Sequence, residues 1–366
     1  MPGPLLAAIA ATALQPAAPA PPPLAGTWQG TIGGRAVRAC FVQRDWGAFG
    51  AYYDMARLRL IPLTAEEGTG SGFSEGGGDA GTPRWQIVHA GPTRLTARRT
   101  SGRRTLPVQL RRLSGPQGEE SPCAGVAFHR PRLAGIGTVT ARVTYSGVDH
   151  DRLTLDTGGR FGIEVVTFAL DGASPAIRRI NAALAAPLAG DPPRWFECVS
   201  NSLQQGAMEG EYSEKLEMVT MTRRWLSVRY QQGGYCGGAH PDASSSYRLF
   251  DLTTGAEVNI QDWFNDRAIR RERVEGVSEE VRTLQPAFRA FLTESWQPQD
   301  AECGEPIRTA EYWNIGLEGD GFLFGPQLPH ALAACYQEWG PGVDMLAPWL
   351  TPEALAQMRA LRAERP

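Results

Sequence analysis

Alternation of apolar and polar residues dominates the first third of the sequence and restricts what it can fold into. In residues 27–42, TWQGTIGGRAVRACFV, the alternation continues on both sides of Gly33 and Gly34. This pattern predicts a β-hairpin with a two-residue turn, because glycine readily adopts the positive φ that such a turn needs. Similar alternating runs follow at residues 51–63, 84–90, 93–100 and 105–113. We therefore predict a small all-β domain over residues 24–126, either a sandwich or a barrel.

Two features of this β-rich segment suggest chemistry. Seven arginines lie between Arg94 and Arg112, and they could form an anion-binding patch. Most of them fall on one face of a predicted hairpin, which favours a solvent-exposed strand face instead. The stretch GFSEG at residues 72–76 matches the G-x-S-x-G pattern of serine hydrolases, but no helix is predicted after it, as that pattern requires. We therefore assign Ser74 no role as a nucleophile.

The pattern changes after about residue 135, where strands and helices mix without a regular βαβ alternation, so we predict an α+β fold. Predicted strands cover residues 137–147, 161–170, 215–235, 246–260 and 311–326. Predicted helices cover residues 174–188, 268–292 and 351–363, the second of them interrupted by Pro286. We divide the chain into a leader, a β-rich domain, a linker, a mixed α/β sheet domain and a C-terminal helix, at residues 1–23, 24–126, 127–136, 137–350 and 351–366.

The leader has an apolar run from Leu5 to Leu14, followed by small residues and prolines. This order is typical of a secretory signal, although no lysine or arginine precedes the run, and a disordered Ala/Pro leader is the alternative. The run is too short to cross a bilayer, which takes about 20 residues. The formal net charge of −3 argues against a nucleic-acid or anionic-membrane partner. We expect a periplasmic or secreted protein without a membrane span in its mature chain.

Six dispersed cysteines support the same compartment, since an even number without C-x-x-C pairs suits disulfides better than zinc or redox sites. Six cysteines allow 15 connectivities. Sequential pairing keeps each bridge inside one structural unit, so we favour Cys40 with Cys123, Cys198 with Cys236, and Cys303 with Cys335. Six reduced cysteines in a cytosolic protein are the alternative.

The stretch YCGGAHPD at residues 235–242 lies between two predicted strands and is open to three interpretations. As a structural corner, it uses the glycines for unusual backbone angles and His240 to hydrogen-bond the turn. As a binding loop, it presents polar groups to a sugar or a protein. As a catalytic loop, it combines His240 with the nearby Asp242, Asp251 and Asp262. The candidate binding residues are Tyr235, Gly237, Gly238, His240 and Asp242.

The segment from residue 225 to residue 264 resembles the RsiV-like extracytoplasmic domain, which occurs in lysozyme-sensing anti-sigma factors and in PdaC-type peptidoglycan deacetylases. The resemblance rests on a G-G-A-H-P loop, a strand ending in F-D-L-x-T-G, and an acidic D-x-F turn, at residues 237–241, 250–255 and 262–264. Residues 319–350 are similar to the closing strands of that family. The resemblance covers about residues 137–350 and implies an RsiV-like mixed α/β sheet domain that recognises envelope material or an enzyme that attacks it.

Two departures from the better-known members limit what the resemblance implies. No cytoplasmic segment and membrane span of the anti-sigma type is evident before the domain, so we do not expect sigma-factor sequestration. The deacetylases hold a metal through an H-x-x-x-H pair, whereas the nearest histidines here, His129 and His150, are 21 positions apart. We therefore expect no metal and no cofactor.

Two functions remain open on the sequence. The first is an exported bacterial cell-envelope protein with a non-catalytic binding module for peptidoglycan, a lytic enzyme such as lysozyme, or another envelope component. The alternative is a peptidoglycan- or glycan-acting hydrolase or deacetylase that uses His240 and the nearby aspartates as acid and base. A concave pocket lined by those side chains would favour the enzyme.

Overall fold

The structure of the protein is a computed structural model that describes residues 24–66, 71–76, 81–115, 121–206, 208–274, 276, 280–296 and 300–363. The predicted leader therefore lies outside the described residues. Within these ranges the chain combines an N-terminal all-β barrel with sheets and helices, so the predicted α+β class is confirmed. Among the helices of the described ranges, none combines the length and the apolar character needed to span a bilayer.

Eight antiparallel strands form a closed barrel, in which each strand pairs with the next and the last pairs with the first. The strands are β1 (Gly26–Ile32), β2 (Arg35–Arg44), β3 (Gly47–Asp54), β4 (Ile61–Ala65), β5 (Gly72–Glu75), β6 (Arg84–Ala90), β7 (Arg94–Ser101) and β8 (Arg104–Ser114). A barrel of eight strands is narrow enough for side chains to fill it. Here the inward positions of the strands fill it with apolar side chains that include Trp28, Phe41, Leu63, Phe73 and Trp85.

The predicted glycine hairpin joins β1 to β2. Gly33 and Gly34 have φ of 55° and 86°, and Ile32 pairs with Arg35 directly across the turn. A two-residue turn of type I′ requires positive φ at both central residues, which explains the two glycines.

The arginine run between Arg94 and Arg112 does not form one solvated face. Arg94, Arg98 and Arg111 are exposed. In contrast, Arg99 turns into the barrel and ion-pairs with Glu75, and Arg112 lies 4.2 Å from the centre of the Trp28 ring. The expectation of a single exposed face is therefore wrong for these two residues, because strand twist and barrel closure bring alternate side chains inside.

The second part of the molecule is built on a seven-stranded mixed sheet. In spatial order its strands are β15 (Glu257–Val258), β14 (Asp242–Asp251), β13 (Trp225–Tyr235), β12 (Glu211–Met221), β11 (Gly162–Leu170), β10 (Val148–Asp156) and β9 (Gly137–Tyr145). All neighbours are antiparallel except β11 and β12. A parallel pair needs a long crossover, which contains helices α2 (Pro175–Leu184) and α3 (Trp195–Gln205). Ser174 caps α2 as predicted, since its hydroxyl accepts a hydrogen bond from the Ile177 N–H at 3.1 Å.

Short elements after the sheet enclose a separate core around Phe264, Phe288, Phe322 and Phe324. They are strands β16 (Ile269–Glu272) and β17 (Val281–Leu284), helices α4 (Pro286–Ser295) and α5 (Gly304–Thr309), strands β18 (Trp313–Glu318) and β19 (Gly321–Pro326), and helices α6 (Val343–Leu346) and α7 (Pro352–Ala363). Short 3₁₀ helices cover Ala186–Leu188, Ile260–Trp263, Ala301–Cys303, His330–Cys335 and Ala347–Trp349.

The predicted helix over residues 268–292 is wrong for its first half. Strands β16 and β17 pair in that region, and the helix begins only at Pro286. Proline has no N–H to donate and a fixed φ that suits the first turn of a helix, while it forces the residue before it into an extended conformation. Gln285 has that conformation, with φ of −61° and ψ of 144°. Pro286 therefore starts the helix and does not interrupt it.

Three disulfides join the sequential cysteine pairs that we favoured. Cys40 of β2 is bonded to Cys123, Cys198 of α3 to Cys236, and Cys303 to Cys335. The first closes a separation of 83 residues, which greatly restricts the unfolded chain.

Helix α1 (Val126–Leu133) occupies most of the predicted linker at residues 127–136, and it lies between the barrel and the mixed sheet. The ring of Phe128 packs 5.1 Å from that of Tyr53 in β3. On the other side, the ring of His129 packs 5.1 Å from that of Phe196 in α3. Barrel and sheet therefore share one hydrophobic core.

His129 is fully buried in this shared core. Its Nε2 donates to the Cys123 carbonyl at 2.8 Å, and its Nδ1 accepts from the Arg132 guanidinium at 3.1 Å. Burial, with a further contribution from the nearby Arg132 charge, lowers the pKa of His129 from 6.5 to about 3. The imidazole is therefore neutral over the whole physiological range.

We expect His129 to make the fold sensitive to acid. Below pH 6.5 the unfolded chain gains a proton at this residue, whereas the folded chain does not until about pH 3. Its contribution to stability is complete above pH 6.5 and falls by about 1.4 kcal/mol for each pH unit inside that window. His129→Gln should lower stability at neutral pH but flatten its decline on acidification, as measured by urea unfolding at a series of pH values.

His240→Gln is the matched control, because it removes an exposed histidine from a surface loop. An unchanged pH profile in His129→Gln, or equal flattening in both variants, would contradict the assignment.

Candidate functional site

The loop at residues 235–242 connects β13 to β14 and is tied to α3 by the Cys198–Cys236 disulfide. Gly237 and Gly238 have φ of 92° and 99°, a region that side chains with a Cβ rarely adopt. The two glycines therefore make the sharp corner, as in the structural interpretation of the sequence.

The polar side chains of the loop bond to its own backbone. The Tyr235 hydroxyl donates to the Gly238 carbonyl at 3.0 Å, and His240 Nδ1 donates to the Pro241 carbonyl at 3.1 Å. Asp242 accepts from the Ala243 N–H at 2.8 Å. His240 and Asp242 are exposed, whereas Tyr235 is half-buried. Of these three side chains, only that of Tyr235 would therefore lose substantial packing contacts if it were truncated.

The carboxylates of the catalytic interpretation do not converge on His240. Asp251 is at the opposite end of the ten-residue strand β14 from Asp242, and at about 3.3 Å per residue that places it about 30 Å away. Asp251 accepts hydrogen bonds from the backbone of Thr253 and from Arg224. Asp262 forms an ion pair with Arg282 at 2.8 Å. Of the aspartates considered, only Asp242 lies on the loop itself.

The surroundings of Ser74 and the grouping of possible metal ligands bear on two other chemical interpretations. Ser74 lies in the middle of β5, is buried, and donates a hydrogen bond to the Thr64 carbonyl, so it does not sit on a strand-to-helix turn. Across the described part of the chain, no three His, Cys, Asp or Glu side chains are grouped so that they could hold a metal ion.

A cleft of about 880 Å³ lies between the loop and the barrel. We call it the hairpin cleft, because one wall is the β2–β3 hairpin with the neighbouring ends of β4 and β5. The other wall is the end of α3 and the loop. Its lining includes Gln43, Arg44, Asp45, Trp46, Phe49, Glu66, Ser202, Gln205, Met208, Tyr235 and Gly238. Tyr235 and Gly238 are thus the two sequence-predicted residues in the cleft, while Gly237, His240 and Asp242 are not part of its lining.

Trp46 is the feature of the hairpin cleft that sequence reasoning missed. It sits in the two-residue turn between β2 and β3, and 70% of its surface is exposed. Its ring stacks on that of Phe49, with centres 5.8 Å apart and planes 13° apart, and Phe49 is itself buried. The available signal was a large aromatic residue at a turn position that normally carries a small or polar residue.

The opposite wall presents Met208, of which 65% is exposed, and the amide of Gln205. Met208 is positioned by its backbone, since its carbonyl accepts from the Ser202 hydroxyl at 2.9 Å. The hairpin cleft therefore has an apolar group on each wall and hydrogen-bonding groups between them.

Disulfides fix both walls of the hairpin cleft. Cys40–Cys123 holds β2 to the segment before α1, and Cys198–Cys236 holds the loop to α3. The Ser121 hydroxyl donates to the Leu203 carbonyl at 3.2 Å, which connects the two bridged regions. The cleft is therefore preorganised, which reduces the entropic cost of binding.

The charges in the hairpin cleft balance. Arg44 and Asp45 have opposite signs, and Glu66 forms an ion pair with Arg84 at 3.2 Å. The other polar groups named above are neutral amides and hydroxyls. The cleft therefore suits a neutral, hydrogen-bonding ligand with an apolar face.

The sequence matches no known protein-family profile and no curated protein. Among solved structures it is similar to a DUF3298 family protein from Pseudomonas aeruginosa PAO1, at 12% identity and a TM-score of 0.33 over 60% of this chain and 95% of that one. It is also similar to a DUF3298 family member from Bacteroides fragilis NCTC 9343, at 12% identity and a TM-score of 0.38 over 63% of this chain and 99% of that one. Membership of the RsiV-like family stays a prediction.

We expect His240→Ala to leave the free energy of unfolding unchanged to within about 0.5 kcal/mol, because the side chain is exposed. Gly238→Ala should cost about 1–2 kcal/mol through its positive φ alone, since an added Cβ there meets no atom within 4 Å. Gly237→Ala should cost about as much through its φ of 92°, because its Cβ would approach only the end of the flexible Gln205 side chain, which can shift. Thermal or urea unfolding of the three variants tests this order, and a His240→Ala cost equal to that of Gly237→Ala would contradict it.

Proposed function

We propose that this protein is an exported cell-envelope binding protein that holds a neutral, N-acetylated glycan strand, as in peptidoglycan, in the hairpin cleft. The observation that carries the proposal is the exposed indole of Trp46, held flat against the buried Phe49 at the edge of the cleft. A large aromatic group that is kept exposed and rigid is typical of a binding surface.

The chemistry of the hairpin cleft supports a sugar ligand. Sugar rings have an apolar C–H face that stacks on an aromatic ring, and hydroxyl and acetamido groups at the edge. Trp46 supplies the ring, and Gln43, Gln205 and Tyr235 line the same cleft with groups that can form hydrogen bonds. The volume of about 880 Å³ lies within the range of about 300–1,000 Å³ that is usual for small-molecule sites.

A concave cleft favours a narrow polymer over a folded protein such as a lytic enzyme. Protein partners usually bury about 800 Å² on each side over a broad surface. A glycan strand can instead enter between two walls. We therefore place the lytic enzyme second, as an outcome of the binding test.

The proposal is a binding function without turnover. His240 and Asp242 point to no shared reacting centre with Asp251 or Asp262, which are bonded elsewhere. An acid and a base must both reach the bond that they cleave. Of the three carboxylates that the hydrolase or deacetylase alternative requires near His240, only Asp242 thus remains a candidate.

Three disulfides support an extracytoplasmic location, because such bonds persist in oxidising compartments. The apolar run of the leader supports export through a secretory signal.

We expect protein recovered from the periplasmic or secreted fraction to contain all three disulfides and to start after the leader. Non-reducing peptide mapping and N-terminal sequencing measure both. Free thiols at the six cysteines would contradict the proposed location, because reduction is the norm in the cytosol.

We expect Trp46→Ala to weaken binding of chitotetraose and of purified peptidoglycan by at least about 10-fold, as for a central aromatic contact. Titration calorimetry with the oligosaccharide and co-sedimentation with the polymer are suitable measurements. The indole is exposed, so the melting temperature should change little.

Tyr145→Ala is the matched control, since Tyr145 is also an exposed aromatic residue but lies on β9, away from the hairpin cleft. Equal binding by Trp46→Ala and the wild-type protein would overturn the proposal. Capture of lysozyme without any glycan binding would assign the surface to a protein partner instead.

A further inference from the structure

The end of the barrel opposite the hairpin cleft carries a second concave site of about 450 Å³. We call it the arginine mouth, because its lining includes Arg35, Arg57, Arg59, Arg99 and Arg104. The hairpin cleft uses the end of β2 near Arg44, whereas the arginine mouth uses its start at Arg35. A strand rises about 3.3 Å per residue, so the two sites lie about 30 Å apart.

Barrel closure brings these arginines together from distant parts of the chain. Arg35 starts β2, Arg57 and Arg59 lie in the connection between β3 and β4, and Arg104 starts β8. Among the described residues, none of these four side chains takes part in an ion pair. All four are exposed. Their guanidinium groups are thus available to a ligand.

The acidic groups near the arginine mouth already accept hydrogen bonds from other parts of the protein. Asp54 accepts a hydrogen bond from the Ala56 N–H at 2.7 Å, which stabilises the turn after β3. Glu75 is buried and accepts from Arg99 Nε at 2.6 Å and from Arg99 Nη2 at 2.9 Å. It also accepts from the Tyr52 hydroxyl and from Trp85 Nε1, each at 2.8 Å. Five positive charges face two negative ones, an excess of three, although the whole chain has a net charge of −3.

Apolar side chains close the site from below. Ile32, Val37 and Leu106 line it. Beneath them Leu63, Phe73 and Trp85 are at most 1% exposed, so the barrel interior is full and a ligand must stay at the mouth. An apolar floor lowers the local dielectric constant and strengthens the attraction between guanidinium groups and an anion.

We propose that the arginine mouth binds a small organic or inorganic anion with several acid oxygens, either phosphoryl or carboxylate. Guanidinium groups pair with both kinds of oxyanion through two parallel N–H donors. Four available guanidinium groups in one concave site match a multiply charged anion better than a single carboxylate. The paired Arg99 positions the floor of the site through Glu75, and the other four arginines contact the ligand.

The test uses inorganic pyrophosphate and citrate as probes, titrated into the full protein by calorimetry at low ionic strength. We expect at least one probe to bind, with an affinity that falls as salt is added. Arg35→Gln with Arg104→Gln should weaken that binding by at least about 10-fold. Binding of pyrophosphate alone assigns the site to phosphoryl groups, binding of citrate alone to carboxylates, and binding of both to their shared chemistry.

Arg111→Gln is the matched control, because Arg111 is exposed on the same strand as Arg104 but lies outside the arginine mouth. It should change the affinity by less than about 2-fold. The proposal is overturned if neither probe binds, or if Arg111→Gln weakens binding as much as the double variant does. Both sets of substitutions are at exposed positions, and matching melting temperatures exclude unfolding as the cause.

Discussion

The buried guanidinium of Arg132 is the contact on which the arrangement of the two halves depends. Its side chain is fully buried on α1, where it donates to the Leu58 carbonyl of the barrel at 2.9 Å and forms a two-pronged pair with Glu209. It also bonds to the Arg160 carbonyl and lies 4.0 Å from the centre of the Phe161 ring. Loss of either charge would leave the other buried without a partner, which is costly. Barrel and sheet are therefore held in one geometry.

That geometry creates the hairpin cleft. Glu209 follows Met208 directly, so the ion pair holds the residues just before β12 and places Met208 opposite Trp46. The Cys40–Cys123 and Cys198–Cys236 bonds hold the same two walls covalently. A rigid cleft loses little freedom when it binds, so a few contacts suffice for useful affinity. The buried Arg132–Glu209 pair thus affects the cleft that Trp46 lines, because contacts in the interior set the distance between its two walls.

Local signals in the sequence predicted strands β1, β2, β6, β7 and β8, the Gly33-Gly34 hairpin and the start of α2, because strand alternation, turn angles and helix caps depend on near neighbours. They did not predict β5, and the single run at residues 51–63 covers parts of both β3 and β4. The helix predicted over residues 268–292 was wrong in its first half, since apolar residues in short paired strands mimic a helical pattern over a few positions. The sequence pointed to some residues of each candidate site, such as Tyr235 in the hairpin cleft and Arg104 in the arginine mouth, but not to either site as a whole, because each is assembled by closure. The arginine mouth needs β8 to meet β1, and the hairpin cleft needs α3 to pack beside the barrel.

The barrel therefore keeps a neutral binding surface, the hairpin cleft, apart from a basic one, the arginine mouth. In a smaller unit the two surfaces would lie close together. Its neutral end lies against the rest of the protein and carries Trp46, whereas its basic end points away and carries Arg35 and Arg104. The two ends are about 30 Å apart by strand length. Charges in solution are largely screened beyond about 8–10 Å at physiological salt. An anion at the arginine mouth thus leaves the field in the hairpin cleft unchanged. Apolar side chains fill the barrel between the two sites, so a ligand at one end cannot reach the other. Both sites can therefore be occupied at the same time.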